Sequence, residues 1–113
     1  MSDVQPPTGT WDMFGDHEEG KLVIKSVDSQ GKITGSALGH DLNGVFNISS
    51  GEIHFSVKPT TGLLDAQVYI GYMSIVKMNV DNPLYLLAGY YFTIPFGFGR
   101  RLGWYATIKK IES

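Results

Sequence analysis

Apolar residues recur at every second position along nearly the whole chain. In Ile53-His54-Phe55-Ser56-Val57-Lys58 the alternation is complete. Because successive side chains of a strand point to opposite faces, it sets Ile53, Phe55 and Val57 inward and His54 and Ser56 outward. The same reasoning buries Leu22 and Ile24 with Lys21 and Lys25 outside. It also buries Trp104, Ala106 and Ile108, with Tyr105, Thr107 and Lys109 outside. No window of eleven or more residues carries an i, i+3, i+4, i+7 stripe, so helix is expected to be nearly absent.

Turn signals cut this pattern into short runs: Gly15 to Gly20, SQGK at Ser29, GHDLNG at Gly39, SSGE at Ser49, PTTG ending at Gly62, and DNP at Asp81. Between them lie eight predicted strands, at about 8–14, 21–28, 32–38, 44–49, 52–58, 66–73, 84–94 and 102–111. The segment SIVKMNV at Ser74 either extends the sixth strand or forms a short one of its own. Eight sequential strands with short links predict an all-β domain, an eight-stranded antiparallel up-and-down barrel occupying residues 1–113 as one unit.

The sixth and seventh strands break the alternation, since Val68 to Met73 and Leu86 to Ile94 are apolar on both sides. Two apolar faces imply a second buried surface. Here Tyr72, Ala88, Tyr90 and Phe92 are read inward, leaving Tyr69, Met73, Leu87 and Tyr91 outside to hold a homo-oligomer together. IGYM at Ile70, AGYY at Ala88 and LGWY at Leu102 each place a glycine just before an aromatic. Such a glycine lets a sheet bend or lets another side chain lie across it.

With TGTW at Thr8, GKITG at Gly31, GEIHFSV at Gly51 and GWYATIKK at Gly103, the chain resembles the calycins, specifically avidin-type and bacterial lipocalin-like barrels. The resemblance implies that Trp11 packs across one barrel end beneath a basic side chain, for which Arg100, Arg101 and Lys109 are the candidates. It also gives Trp104 a counterpart in the last-strand tryptophan of avidins. It does not extend to biotin: the asparagine and tyrosine that hold the ureido oxygen in avidins correspond here to Met13 and Ala37. A ligand oxygen buried there without a donor would cost about 1–3 kcal/mol.

Composition narrows the function classes. Nine basic and eleven acidic residues leave a net charge of −2, too little positive charge for a broad phosphate-binding surface, so no nucleic-acid partner is expected. The chain has no cysteine, which removes disulfides and thiolate chemistry. Its start, MSDVQPP, lacks the pattern of a secretory signal, and a cytoplasmic location is expected. Asn82 to Gly99 is uncharged but contains two prolines and three glycines, so no membrane span is expected.

Asp16-His17-Glu18-Glu19 reads as a solvated turn, and His17, His40 and His54 sit on separate segments. No metal site, catalytic residue or cofactor is expected from them. Neither Ser49-Ser50-Gly51 nor GFGRR has the strand-to-helix context that a nucleophile elbow or a phosphate loop needs.

The interior is the remaining candidate. Trp11, Met13, Phe55, Tyr72, Tyr90 and Trp104 beside the small Ala37 and Ala88 either interlock or surround something. These residues form the expected ligand-binding set. The leading expectation is non-catalytic binding of a small, largely apolar molecule inside the barrel. An alternative is a barrel enzyme that cyclises or isomerises a flexible substrate with Tyr72 or Tyr90 as acid. Another is a protein-binding or inhibitory barrel acting through its loops, including the two phenylalanines of Ile94 to Arg101.

Overall fold

A computed structural model describes residues 6–15, 18–57, 66–77, 83–94 and 101–109. Eight strands follow one another: β1 (Gly9–Gly15), β2 (Glu18–Val27), β3 (Lys32–Ala37), β4 (His40–Asn47), β5 (Glu52–Val57), β6 (Ala66–Lys77), β7 (Leu84–Ile94) and β8 (Leu102–Lys109). Each pairs antiparallel with the next, and β8 returns to β1, so the sheet closes into the up-and-down barrel the periodicity predicts. Among the described residues there is no helix, hence none long and apolar enough to cross a membrane.

β2 begins at Glu18, so Glu18 to Gly20 are strand and not part of a turn from Gly15 to Gly20, and two further boundaries correct or settle the sequence reading. The six residues GHDLNG are not all turn, because β4 begins at His40 and only Leu38 and Gly39 make the connection. Both have positive φ, 53° and 82°. A two-residue turn of that kind matches the twist of the flanking strands. Asp41 and Asn43 then occupy exposed outer positions around a buried Leu42. At the other boundary, SIVKMNV extends β6 as far as Lys77. The turn signals at Lys58 to Gly62 and at Asp81 lie outside the described residues.

Side-chain oxygens close the turns that join β2 to β3 and β4 to β5. Asp28 Oδ1 accepts the backbone N–H groups of Gln30 and Lys32. Asn47 Oδ1 accepts those of Ser49 and Ser50. A bulge in β2 shifts register between Ile24 and Ser26. Its extra residue moves the inward set from even to odd numbers: Lys25 and Ser26 are both exposed, and Val27 packs against the core opposite Ile33.

One hydrophobic cluster fills the described interior, with Trp11, Leu22, Ile24, Ile53, Phe55, Leu87, Trp104 and Ala106 among its buried members. The faces of β2, β5 and β8 are those that alternation predicts. The faces of β6 and β7 are the reverse. Tyr69 is 2% exposed and Tyr91 7%, with Met73 and Leu87 on the same inner side, whereas Tyr72 is 55% exposed.

Trp104 contributes to this parity through Gly71. Its row across the sheet runs Gly15–Trp104–Gly89–Gly71–Ile53. A Cβ on Gly71 would lie 2.9 Å from indole Cζ2. The indole therefore needs a residue without a side chain at position 71 on the inner side of β6, and the parity that puts Gly71 and its row neighbour Gly89 inward also carries Tyr69, Met73, Leu87 and Tyr91 inward. The indole N–H is shared between the backbone oxygens of Ile70 and Tyr90, at 3.2 and 3.1 Å. This buried donor is thereby satisfied.

Candidate functional site

The two barrel ends differ. At the N-terminal end of β1, Trp11 is fully buried and its Nε1–H donates to the Pro7 carbonyl at 3.1 Å, so the chain that leads into the barrel plugs this end. The basic cover expected over Trp11 is not Arg101, whose guanidinium lies 5.1 Å from the ring centre of Tyr90 on the outer face. Arg100 lies outside the described residues. Arg101 immediately precedes the first residue of β8, at the opposite end of the barrel from Trp11, and the side chain of the third candidate, Lys109, lies outside the described residues.

At that opposite end, the mouth, an aromatic row crosses the interior. Phe55, Tyr69 and Tyr91 are register neighbours on β5, β6 and β7. Their rings stack, with centroids 4.9 and 4.8 Å apart. Trp104 meets Phe55 and Tyr69 edge to face, each at 5.6 Å. Such pairs add about 0.5–1.5 kcal/mol each beyond burial of their area. The Tyr69 hydroxyl hydrogen-bonds the Gln67 side-chain oxygen at 2.9 Å.

Beyond this row is a cleft of about 10 Å³ bounded by Met13, Gly15, Leu38, Tyr69 and Tyr91. That volume holds one water. Leu38 reaches the cleft from a turn in which its backbone is left-handed, a conformation that costs a side-chain-bearing residue about 1–2 kcal/mol. Its Cδ2 also fills the space a Cβ on Gly20 would need, 2.3 Å away.

Of the residues the sequence nominates for ligand binding, the structure brings Trp11, Met13, Ala37, Phe55 and Trp104 together inside. It leaves Tyr72, Ala88 and Tyr90 on the outer face, so neither tyrosine can act as an acid within the barrel. Sequence reasoning missed Tyr69, Tyr91, Gly15 and Leu38. Only the pairing of Gly71 and Gly89 with Trp104 could have signalled the two tyrosines.

A larger groove of about 310 Å³ lies outside the barrel between the β2–β3 and β4–β5 turns, against Val27, Val45 and Ile48. The carboxylate and amide oxygens that line it, from Asp28 and Asn47, are those that bind turn N–H groups.

Charge chemistry is sparse. No group of three or more His, Cys, Asp or Glu side chains that could hold a metal exists among the described residues. His40 sits on β4 and His54 points outward from β5, while His17 lies outside the described residues. Lys21 has its pKa raised, first by a hydrogen bond from its ammonium to Asp12 and then by the Asp12 charge, and both side chains are exposed. This pair is on the surface. Comparison with protein-family models, with curated proteins and with solved structures finds no match to the chain.

Proposed function

We propose that the chain is a non-catalytic binding barrel of the calycin kind, which takes a small, largely apolar molecule at its mouth. The order of eight consecutive antiparallel strands supports that kinship. The observation that carries the reading is the cleft bounded by Met13, Gly15, Leu38, Tyr69 and Tyr91. Its lining is thioether, aliphatic and aromatic, Gly15 withholds a side chain there, and Leu38 fills the rest from a strained backbone. Strain of this kind persists only when its surroundings hold it and concentrates at ligand clamps. A ligand that displaced the Leu38 side chain would inherit its volume and rest against the aromatic row.

Titration with a panel of uncharged fluorescent apolar probes tests this. Saturable one-to-one binding should change the emission of Trp104, which lies 5.6 Å from Tyr69. Gly15→Leu should weaken binding about tenfold or more by occupying the cleft, since an inserted side chain competes for the same volume at about 1–3 kcal/mol. Absence of binding by every probe, or binding unchanged in Gly15→Leu, would remove this reading.

A further inference from the structure

We infer that two copies of this chain associate face to face through the outer surface of β6, β7 and β8, about a twofold axis running along the β6–β7 seam. The outward residues of these strands form a largely apolar field, with the Arg101 guanidinium lying 5.1 Å from the ring centre of Tyr90. Val68 stands beside Phe92, Ile70 beside Tyr90, and Tyr72 beside Ala88. The last row continues through Tyr105 to Phe14, whose rings stack at 4.9 Å. Four strands at about 4.8 Å spacing and three to four outward rows at about 7 Å make a patch of about 20 by 20 Å. That is about 400 Å², at the upper range of what a monomer leaves in water and about half of the roughly 800 Å² that each partner buries in a standard interface.

Side-chain sizes select a second copy and place the axis. In each row across the seam, one strand contributes the larger group and the other the smaller. A twofold axis parallel to the strands and between them sets each β6 side chain over the β7 position of the same row in the other copy. Tyr72 then seats over the partner's Ala88, Tyr90 over the partner's Ile70 and Phe92 over the partner's Val68. Large meets small in every row. An axis along β7 would instead oppose Tyr90 to Tyr90 and Phe92 to Phe92 and leave a void between the two Ala88 residues. The same seam axis brings Tyr105 opposite the partner's Glu52, whose carboxylate can accept the phenol proton, because both share the row of Tyr72 and Ala88. Twofold interfaces are self-complementary in this manner.

Sedimentation equilibrium of the intact chain tests the geometry as well as the association. Wild type should be dimeric at about 10 μM, and Ala88→Tyr should weaken the dimer about a hundredfold by opposing two tyrosines. Adding Tyr72→Ala to Ala88→Tyr transfers the knob from β6 to β7 and should restore the dimer to within about tenfold of wild type. Tyr72→Ala alone leaves a hole and should weaken it more than the double variant. Circular dichroism and tryptophan emission verify the barrel in each. A monomeric wild type at about 100 μM, Ala88→Tyr or Tyr72→Ala dimerising like wild type, or a double variant no better than Ala88→Tyr, overturns the proposal.

Discussion

The β2–β5 half of the barrel and the β6–β8 half obey the same pleat but spend their outer faces differently. On β3, β4 and β5 the outward residues include Thr34, Asp41, Asn43, Glu52 and His54, and each inward neighbour is apolar. On β6, β7 and β8 they include Ile70, Tyr72, Leu86, Tyr90 and Tyr105. In the first half one look at polarity assigns the faces. In the second it does not, and the assignment rests on which strand can make room for Trp104. Polarity identifies a face only where water is one of the two neighbours.

The strongest way to break this comparison is at the glycines. A Cβ on Gly89 would lie 1.9 Å from the Ile70 oxygen and 2.6 Å from the Gly71 Cα. Backbone cannot retreat from such contacts cheaply, so Gly89→Val should cost about 3 kcal/mol or more and leave no folded barrel by circular dichroism. Gly103 faces out, with its nearest prospective contact at 3.9 Å, and Gly103→Val should fold normally. Equal damage by both would show that the inner row of the sheet is no more crowded than the outer.

Next in size is the contrast between two tyrosines three residues apart on β6. Tyr69→Ala removes a buried ring from the aromatic row and should cost about 3–5 kcal/mol in urea unfolding. Tyr72→Ala, measured at concentrations where the chain is monomeric, should stay within about 0.5 kcal/mol. The reverse order would restore the alternation first read from the sequence.

The smallest expected effect lies on the polar side. Lys21 has its proton held more firmly in the folded state, above the ordinary 10.5, by Asp12. Any stability from the pair is therefore complete at neutral pH and fades only as alkaline pH passes the raised value. Both groups are exposed and screened by salt. Thermal melts of Asp12→Asn at low and high salt should be nearly superimposable with wild type from pH 6 to 9, and a large shift would mean that the outer polar face carries stability.

Much of the fold was legible because a strand is a local object. Turn residues and period-two spacing need only neighbours in the chain, and they placed all eight strands, with β7 at Leu84–Ile94 as predicted. GHDLNG misled because Asp and Asn in a row suggest a turn, although as alternate residues around Leu42 they suit an outward strand face equally well. The candidate site was half legible: Met13, Phe55 and Trp104 belong to strands with one clear face, and Tyr69 and Tyr91 do not.

By itself the sequence determined the all-β class, the number and order of strands, and the inward residues wherever the opposite face is polar. Tertiary structure alone decided the parity of β6 and β7, the frame shift at the β2 bulge and the cleft under Leu38. Each depends on residues far apart in the chain meeting in one volume: an indole on β8 needs a glycine on β6, and a leucine from one hairpin turn fills the space left by Gly20. Excluded volume between distant segments leaves no periodic trace in either one.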